Sequence, residues 1–488
     1  MRGPALPIWL PAWILVAIPA AIPAAGAAER DPVAELRSRT PAGDLQEHYT
    51  SYLTEEKRLK AVTVCFSDLE GRFHMLDYDK RFLLSSFDNL TFDGSSIRGF
   101  SQVRESDLRL EIDWGSFRWL PSDVFGPGKV LVFGLIKDRD GTAYAADMRG
   151  QLKVLTDELL ARDGIEANLS VECEGFLFEG LNAEQNYLAS QGFKLVSSGG
   201  YFNSLPKDAL KLFIDALAEA QRALGFENEK DHPEVAPSQF ELNYRYCGAL
   251  LAADQLQLYK LTARQIAANM GLTASFLPKP ISGINGSGMH CNLSLAQNGK
   301  NLFHLDGGED GLAPIAWNFI DRLLANANDI CLILNSSVNA YRRLDPHYEA
   351  PNQIKASAVD RTSMVRVPLG NERTARIEMR AVAPDSNPYL TFYGLLWTGL
   401  NGPLAEELTS EQRKTRASFL PSNIYEASDK FQSSHFVTQM LGPRTQERFV
   451  ERKLAAAHRS PRELGSIVKT TEVRFHHEVT NQYLWSQF

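Results

Sequence analysis

The chain has 488 residues, of which 44% are apolar and 23% are charged, and its formal net charge is −8 at pH 7. This length favours two domains, and the negative balance gives no reason to expect nucleic acid or an anionic membrane as a partner. The five scattered cysteines lack the spacing of a disulfide framework or a metal site, so we expect reduced thiols in or near a core.

Residues 1–28 have the form of a secretory signal peptide. An apolar stretch at 8–24 follows one basic residue, and small residues at 25–27 offer a cleavage site. Pro11, Pro19 and Pro23 interrupt the stretch and argue against a membrane-spanning helix. Two interpretations stay open, which are a working export signal and a spurious or dispensable leader.

A helical segment at 29–60 is predicted to precede a small strand-rich domain at 61–148. Alternation of apolar and polar residues at 62–67 indicates a half-buried strand, and residues 68–71 are typical of a hairpin turn. A second apolar strand at 130–133 is followed by another turn at 137–141.

The larger region, 149–488, alternates strands with long helices and predicts an α+β domain. Apolar residues at helical spacing begin at Leu152, Leu155 and Leu159. The predicted helices are 149–162, 206–225, 249–270, 312–333 and 386–408, and the segment 445–488 is expected to be mostly helical.

Glu172 and Glu174 lie two residues apart in an apolar, strand-forming run, so both carboxylates project from one sheet face. Two like charges beside apolar neighbours are costly unless a cation or proton lies between them. A lone pair of this kind is more often the solvated face of an edge strand. However, Glu234, Glu241 and Glu378 lie in or beside further strands, which indicates a sheet curved around a polar, ion-filled cavity.

One imidazole and several guanidinium groups accompany these carboxylates. His290 lies in a glycine-rich segment, 284–294, where backbone can approach a ligand closely. Oxygen ligands with one imidazole suit Mg²⁺ or Mn²⁺ better than zinc or copper. Arginine binds carboxylates and phosphates through two parallel bonds, although any single arginine is more often in a surface ion pair. The arginines in question are Arg343, Arg361, Arg366, Arg376 and Arg380.

Taken together, these segments resemble the glutamine synthetases, most closely the bacterial and archaeal class I enzymes. The resemblance covers roughly residues 60 to 485, with the motifs in family order. It implies an α+β fold, with a small N-terminal β-grasp-like domain and a larger catalytic domain in which helices flank a curved antiparallel sheet. The matching motifs are 92–97, 105–107, 172–174, 200–202, 234–241, 285–290, 343–351, 376–380 and 387–390.

The resemblance implies at least two divalent cations, Mg²⁺ or Mn²⁺, at each site. The ligands of the ion nearer glutamate would be Glu174, Glu234 and Glu241. The ligands of the ion beside the nucleotide phosphates would be Glu172, His290 and Glu378.

It also implies roles for the remaining site residues. The catalytic residues would be Asp93, Glu349, Arg361 and Arg380, with Asp93 at an ammonium site, Glu349 in a closing flap and both arginines on the transferred phosphoryl group. The substrate-binding residues would be Tyr201, Asn285, Gly286 and Arg343. The nucleotide-binding residues would be Asn292, Ser294, Arg366 and Arg376.

The implied reaction joins ammonia to the γ-carboxylate of glutamate at the expense of ATP, through γ-glutamyl phosphate. The implied partners are glutamate, ammonium, ATP and further copies of the chain, in a dodecamer of two stacked hexamers, with no nucleic acid and no membrane. Because exported enzyme would find little ATP, the cytoplasm is the expected location, and export is the alternative if residues 1–28 work as a signal.

Several positions depart from the family pattern. Asp345 and His347 replace a valine and a glycine in the flap, and Cys173 and Gly175 replace a proline and an aromatic residue beside the metal-binding glutamates. Gln102 stands where one subclass has a regulatory arginine. Two other functions therefore stay open, which are a γ-glutamyl ligase for another amine and a non-catalytic relative.

Overall fold

A computed structural model describes residues 42–97, 100–101, 106–187, 191–203, 206–344, 351–405, 408–415 and 418–458. The predicted leader, Gln102, the flap residues 345–350 with Glu349, and the end of the chain after 458 lie outside the described residues. Across the part of the chain that the structure describes, no helix is both long and apolar enough to cross a membrane.

The N-terminal region forms a five-stranded sheet with one long helix against it. Strand order is β2-β1-β5-β4-β3, and all pairs are antiparallel except β1 with β5. The predicted turn at 68–71 joins β1 to β2, as expected. The elements are α1 (Ala42–Glu55), β1 (Ala61–Ser67), β2 (Phe73–Asp79), α2 (Lys80–Ser86), β3 (Leu90–Asp93), β4 (Asp107–Trp119), α3 (Ser122–Phe125) and β5 (Val130–Lys137).

This small sheet has apolar neighbours on both faces. Leu45, Tyr49 and Leu53 recur every four residues along α1, so they share one helix face and cover the first side of the sheet. Residues on the opposite side, such as Cys65, belong to the core of the larger domain. Strand β1 is therefore buried on both faces, whereas its alternation had predicted a half-buried strand.

The larger region contains a ten-stranded sheet with the path β13-β14-β15-β11-β6-β8-β7. Strands β9 and β10 also pair with β6, and β12 pairs with β11; the β13–β14 pair is parallel, and the others are antiparallel. The strands are β6 (Ile165–Glu179), β7 (Asn228–Pro233), β8 (Gln239–Tyr244), β9 (Cys247–Gly248), β10 (Leu272–Ser275), β11 (Met289–Gln297), β12 (Lys300–Asn301), β13 (Gln353–Ser357), β14 (Ser363–Arg366) and β15 (Ile377–Met379).

The long strand β6 separates the apolar core from the polar side of this sheet. Its odd-numbered residues from Ala167 to Cys173 are buried against helices, whereas its even-numbered residues remain partly accessible on the other face. The Tyr259 hydroxyl donates to the carbonyl of Cys173 at 2.9 Å and fixes the long helix Ala249–Asn269 to the back of the strand. The predicted mixed α+β architecture with a small sheet domain is thus confirmed.

The helices agree with their predicted positions apart from their ends. The predicted helix at 312–333 is two helices, because Asn326 interrupts it and its side chain bonds the carbonyls of Arg322 and Pro403. The helix predicted to reach 408 ends at Asn401, before Gly402 and a proline. The helices are α4 (Met148–Asp163), α5 (Ala209–Ala223), α6 (Ala249–Asn269), α7 (Pro314–Ala325), α8 (Ala327–Leu334), α9 (Val338–Arg343), α10 (Pro388–Asn401), α11 (Ser410–Thr415), α12 (Ile424–Ser433), α13 (His435–Leu441) and α14 (Pro443–His458).

A buried ion network joins the small sheet to helices of the larger region. The guanidinium of Arg149, at the start of α4, donates to Asp254 on α6 through two bonds of 2.8 and 2.6 Å. It also bonds Asp113 of β4 at 2.8 Å. Tyr389 donates its hydroxyl to Asp254 at 2.7 Å and satisfies the network further. The small sheet is therefore fixed to three helices of the larger region through groups that would be costly to leave unpaired.

Candidate active site

The polar face of the ten-stranded sheet carries the predicted metal ligands in adjacent register positions. His290 of β11 lies opposite Glu172 of β6, and Glu378 of β15 lies opposite Asn292. On the other side of β6, Glu174 lies opposite Glu241 of β8. Because opposite residues in an antiparallel ladder share one face, these side chains converge on a single polar surface.

The first cluster contains Glu172, His290 and Glu378, whose ligand atoms lie within 4.8 Å of one another. The Nδ1 atom of His290 is 3.5 Å from an oxygen of Glu172 and 4.0 Å from an oxygen of Glu378. Burial opposes ionisation of Glu172, but the bond and charge of His290 and a bond from Asn292 outweigh it and lower its pKa to about 2. This set of oxygens with one imidazole suits a hard divalent cation.

Two arginines flank Glu378, which is 1% exposed. Arg366 donates to one of its carboxylate oxygens at 2.7 Å, and Arg380 donates to the other at 2.5 Å. Arg380 also bonds the carbonyl of Arg361, whose own side chain is exposed on the loop between β13 and β14. Arg366 and Arg380 therefore lie at one end of the first cluster, with the backbone of Arg361 beside Arg380.

The second cluster contains His232, Glu234 and Glu241, again with ligand atoms within 4.8 Å of one another. The two nitrogens of His232 lie 3.7 Å from Glu234 and 3.8 Å from Glu241. Burial and the charges of Glu174, Glu172 and Glu234 raise the pKa of Glu241 well above its ordinary value. A bound cation would relieve this repulsion, so the residues present fit a metal ion.

Glu174 is fixed beside this second cluster by the loop that precedes β11. One of its oxygens accepts the backbone N–H of Gly288 at 2.9 Å and the side-chain amide of Gln239 at 3.2 Å. The same amide reaches Gly286, a predicted substrate-binding residue, through its carbonyl at 2.9 Å. Asn285, the other predicted contact in this loop, is half-buried just before it.

Arg343 closes the site from the end of α9. Its side chain is 4% exposed, and one terminal nitrogen donates to the carbonyl of Arg380 at 3.0 Å. The other terminal nitrogen, Nη1, has no hydrogen-bond partner in the described structure. Burial, together with the charge of Arg380, lowers the pKa of Arg343 to about 10, so the group remains a cation at neutral pH.

A cavity of about 460 Å³ opens beside the first cluster. Glu172 lines it, and so do Asn292, Ser294 and Arg376, three of the four predicted nucleotide-binding residues. Arg376 donates to the side-chain oxygen of Asn292 at 2.8 Å, which orders both groups at the wall. The fourth predicted residue, Arg366, lies instead against Glu378.

Tyr201 lies next to the second cluster. Its ring stacks on Phe202 at 3.9 Å between centroids and meets the imidazole of His232 edge-on at 5.6 Å. Burial and the charges of Glu234 and Glu241 raise the pKa of its phenol. The side chain is 53% exposed, so it lies at the surface beside the second cluster rather than in the core.

Asp93 lies apart from these groups. It ends β3 at the edge of the small sheet, where it is exposed, and its carboxylate accepts bonds from the Ser95 backbone and from the Ser95 and Ser96 hydroxyls. Those bonds, with the Ser95 hydroxyl foremost, lower the pKa of Asp93. Within the described parts of one chain, its hydrogen bonds thus involve its own turn and neither of the two carboxylate–imidazole clusters.

Family models match most of the chain. Residues 145–467 match the model of the glutamine synthetase catalytic domain, and residues 58–136 match that of the glutamine synthetase beta-grasp domain. The chain belongs to the glutamine synthetase family. It is 36% identical over 423 residues to a glutamine synthetase of Clostridium saccharobutylicum, a match that covers 83% of this chain and 93% of that protein. A glutamine synthetase of Methanosarcina mazei is 35% identical over 402 residues, which cover 80% and 89% of the two chains.

Solved structures agree with this family fold. A GmaS/ADP complex is similar with a TM-score of 0.73 and 25% identity, covering 87% of this chain and 98% of that one. A cryo-EM structure of Plasmodium falciparum glutamine synthetase has a TM-score of 0.74 at 20% identity and covers 87% and 97% of the two chains. The second likeness concerns the fold alone.

Three polar residues of the site were missed by the sequence reasoning, namely His232, Gln239 and Asn243. His232 and Glu234 are two residues apart, the same spacing as Glu172 and Glu174, and this repetition was the available signal. Asn243 donates to Glu241 at 2.8 Å and lies two residues beyond it on the same strand face. Neutral amides carry no distinctive pattern, because their role depends on which backbone groups surround them.

Proposed function

We propose that this protein is a glutamate–ammonia ligase, which uses ATP to form γ-glutamyl phosphate and then glutamine, ADP and phosphate. The observation that supports this most strongly is the pair of carboxylate–imidazole clusters on one sheet face. The buried Arg343 lies near the second cluster, and the cavity, which is large enough for part of a nucleotide, lies beside the first cluster. This arrangement suits a reaction that brings several negative oxygens together.

We propose that each cluster binds one metal ion. Mg²⁺ or Mn²⁺, when bound, would screen the phosphate and carboxylate oxygens and polarise them toward reaction. We assign one ion to Glu172, His290 and Glu378, beside the cavity. We assign the other to Glu174, Glu234 and Glu241, with His232 as an additional ligand or close neighbour, because its nitrogens are within 4 Å of two of these carboxylates.

The ATP end is proposed to lie in the cavity lined by Asn292, Ser294 and Arg376. From there the γ-phosphate would point toward the arginines around Glu378. Arg361 and Arg380 would stabilise the negative charge of the transferred phosphoryl group, and Arg366 would hold Glu378 in place. Positioning plus positive charge is the main contribution a protein makes to phosphoryl transfer.

The glutamate end is proposed to lie between Arg343 and the loop at Asn285 and Gly286. Among the described residues, Nη1 of Arg343 is a buried donor without a hydrogen-bond partner, and a substrate carboxylate would satisfy it. The loop passes close to the arginine, because a Cβ atom at Gly286 would come within 3.2 Å of its Cγ. Glutamate bound there would present its side-chain carboxylate to the second metal cluster.

Ammonium would bind near Tyr201 and Glu234, with Asp93 accepting its proton. Since Asp93 lies on the small sheet and away from this cluster in one chain, we propose that a neighbouring copy supplies it. The site would then form between copies of the chain in a homo-oligomer, for which we propose a dodecamer of two stacked hexamers. Glu349 is proposed to close the site and exclude water. We propose the cytoplasm as the location.

A coupled assay tests this function. Purified protein would be given glutamate, ATP, Mg²⁺ or Mn²⁺, and either ammonia or one of a panel of amines, with phosphate and γ-glutamyl product measured. Phosphate release and glutamine formation with ammonia would support the proposal. Absence of turnover with every acceptor would support a non-catalytic relative instead.

A γ-glutamyl ligase for another amine is the second candidate. Two observations favour it, which are the likeness to GmaS and the Asp345 and His347 substitutions in the flap. An added carboxylate near the glutamate entrance would weaken the binding of glutamate or admit a different substrate. Turnover with an amine but none with ammonia would establish this second function and reject the first.

A further inference from the structure

Gln239 makes an unusual number of bonds for a single side chain at this site. It is 1% exposed at the start of β8. Its oxygen accepts the backbone N–H of Ala236 at 3.1 Å, and its nitrogen donates toward Glu174, the Gly286 carbonyl and the Ser287 hydroxyl at 3.2, 2.9 and 3.2 Å. The partners fix the orientation of the amide, since a carboxylate and a carbonyl require the nitrogen and a backbone N–H requires the oxygen.

The backbone of the same residue anchors a second carboxylate. The carbonyl of Gln239 accepts the N–H of Glu234 at 2.8 Å, and its own N–H donates to Ala236 at 3.2 Å. These bonds close a tight turn in which Ser238 has a left-handed φ of 61°. That conformation is costly for a residue with a side chain, so the bonds around Gln239 hold a turn that would otherwise relax.

The loop on the other side of this amide, residues 286–288, is packed closely against its neighbours. A Cβ atom at Gly286 would lie 2.4 Å from the carbonyl oxygen of Pro278, and one at Gly288 would lie 2.6 Å from a guanidinium nitrogen of Arg343. The loop therefore lies between a fixed backbone and the proposed glutamate-binding arginine. The Gly288 N–H ties the loop to Glu174 directly, and the buried Gln239 donor adds a second tie through Gly286 and Ser287.

We propose that Gln239 is a positioning residue that aligns the glutamate-binding loop with the metal-binding carboxylate Glu174. This inference rests on the proposed function, because it takes the 285–287 loop as a glutamate contact. One side chain would thereby set both the geometry of the second metal cluster and the distance from the metal to the substrate carboxylate. Such supporting residues commonly affect metal affinity and activity by one to two orders of magnitude.

The test compares Gln239→Met and Gln239→Glu with Asn243→Asp. Methionine keeps the length of the side chain and removes the donor without adding charge. Glutamate keeps the acceptor for Ala236 and also removes the donor. Asn243 is the matched control, because its amide donates to the metal-binding Glu241 at 2.8 Å but has no bond to the 286–287 loop. Circular dichroism and a thermal melt on each oligomer would show which variants fold.

Three quantities would be measured on each folded variant: Mn²⁺ affinity by electron paramagnetic resonance, glutamate affinity by calorimetry at saturating Mn²⁺, and ATP affinity by calorimetry. We expect both Gln239 variants to weaken Mn²⁺ and glutamate binding at least about tenfold and to leave ATP binding within about twofold. We expect Asn243→Asp to weaken Mn²⁺ binding and leave glutamate binding at saturating Mn²⁺ within about twofold.

The outcomes separate this inference from the function beneath it. If the unaltered protein binds glutamate and the Gln239 variants bind it equally well, the positioning role is wrong and the proposed function stands. Equal weakening of ATP and glutamate binding would show general damage and would also reject the role. If the unaltered protein binds no glutamate, both the inference and the proposed function fail.

Discussion

Replacing Arg343 with lysine is expected to weaken glutamate binding selectively. In the structure, the guanidinium is buried at the end of α9, and one nitrogen is committed to the carbonyl of Arg380. The other, Nη1, has no hydrogen-bond partner in the part of the chain that the structure describes. Lysine would retain the positive charge, but its single ammonium group cannot reach both positions and lacks the planar fork that suits a carboxylate.

The magnitude follows from the bond that would be lost. A hydrogen bond to a charged group contributes about 1.5–3 kcal/mol, and each 1.4 kcal/mol corresponds to a tenfold change in affinity. The KM for glutamate should therefore rise about 10- to 100-fold in Arg343→Lys. The lowered pKa of about 10 still leaves the arginine protonated at pH 7, so the effect should be the same across pH 6.5–8.

Steady-state kinetics with glutamate and ATP varied in turn would measure this change. Arg376→Lys is the matched control, because Arg376 lines the cavity beside the first cluster. It should raise the KM for ATP and leave that for glutamate within about twofold, the reverse of Arg343→Lys. An unchanged glutamate KM in Arg343→Lys, or equal rises in both constants, would refute the assignment.

Three further predictions concern metal binding and stability. Glu174→Gln should weaken Mn²⁺ binding and activity at least about tenfold while leaving the melting temperature nearly unchanged, and full turnover at ordinary metal concentration would contradict its metal assignment. Arg149→Met should destabilise the fold by about 3–5 kcal/mol, because it removes the cation that pairs with the carboxylates of Asp113 and Asp254. Arg162→Met, at an exposed ion pair, is the control and should not change the denaturation midpoint. Burial raises the pKa of Asp147 from 3.8 to about 6, so the folded state holds this proton more tightly and loses stability as the pH rises from about 4 to 6. The melting temperature of Asp147→Asn relative to that of the unaltered protein should therefore rise between pH 5 and 7. Parallel pH profiles of the two melting temperatures would contradict this.

The strands that carry the proposed metal ligands were the most predictable part of the site. Period-two spacing alone puts Glu172 and Glu174 on one face, and the structure shows that face directed away from the helices. The spacing does not predict which residue of the neighbouring strand lies opposite each glutamate. The pairing of Glu174 with Glu241, and of His290 with Glu172, depends on strand order and register, which a local pattern does not encode.

Helix ends and neutral side chains were the least predictable. The break at Asn326 depends on carbonyls from distant segments, such as that of Pro403, that its amide bonds. Gln239 has the same dependence, since its importance lies in the three groups that tertiary folding brings around it. Carboxylates and arginines can be recognised in a sequence by their charge, whereas amides act through contacts that form only when the chain folds.

The departures from the family pattern beside the metal-binding glutamates have a local explanation in the structure. Gly175 pairs directly with Phe240 of β8, and a Cβ atom at Gly175 would lie 2.6 Å from the Phe240 ring. The aromatic group missing from β6 is thus provided by the neighbouring strand, and the glycine is needed to admit it. Cys173 lies on the same buried face as Gly175, over α6, and its carbonyl accepts the Tyr259 hydroxyl. Because both substitutions lie on the face of β6 opposite to Glu172 and Glu174, neither displaces the carboxylate of Glu174.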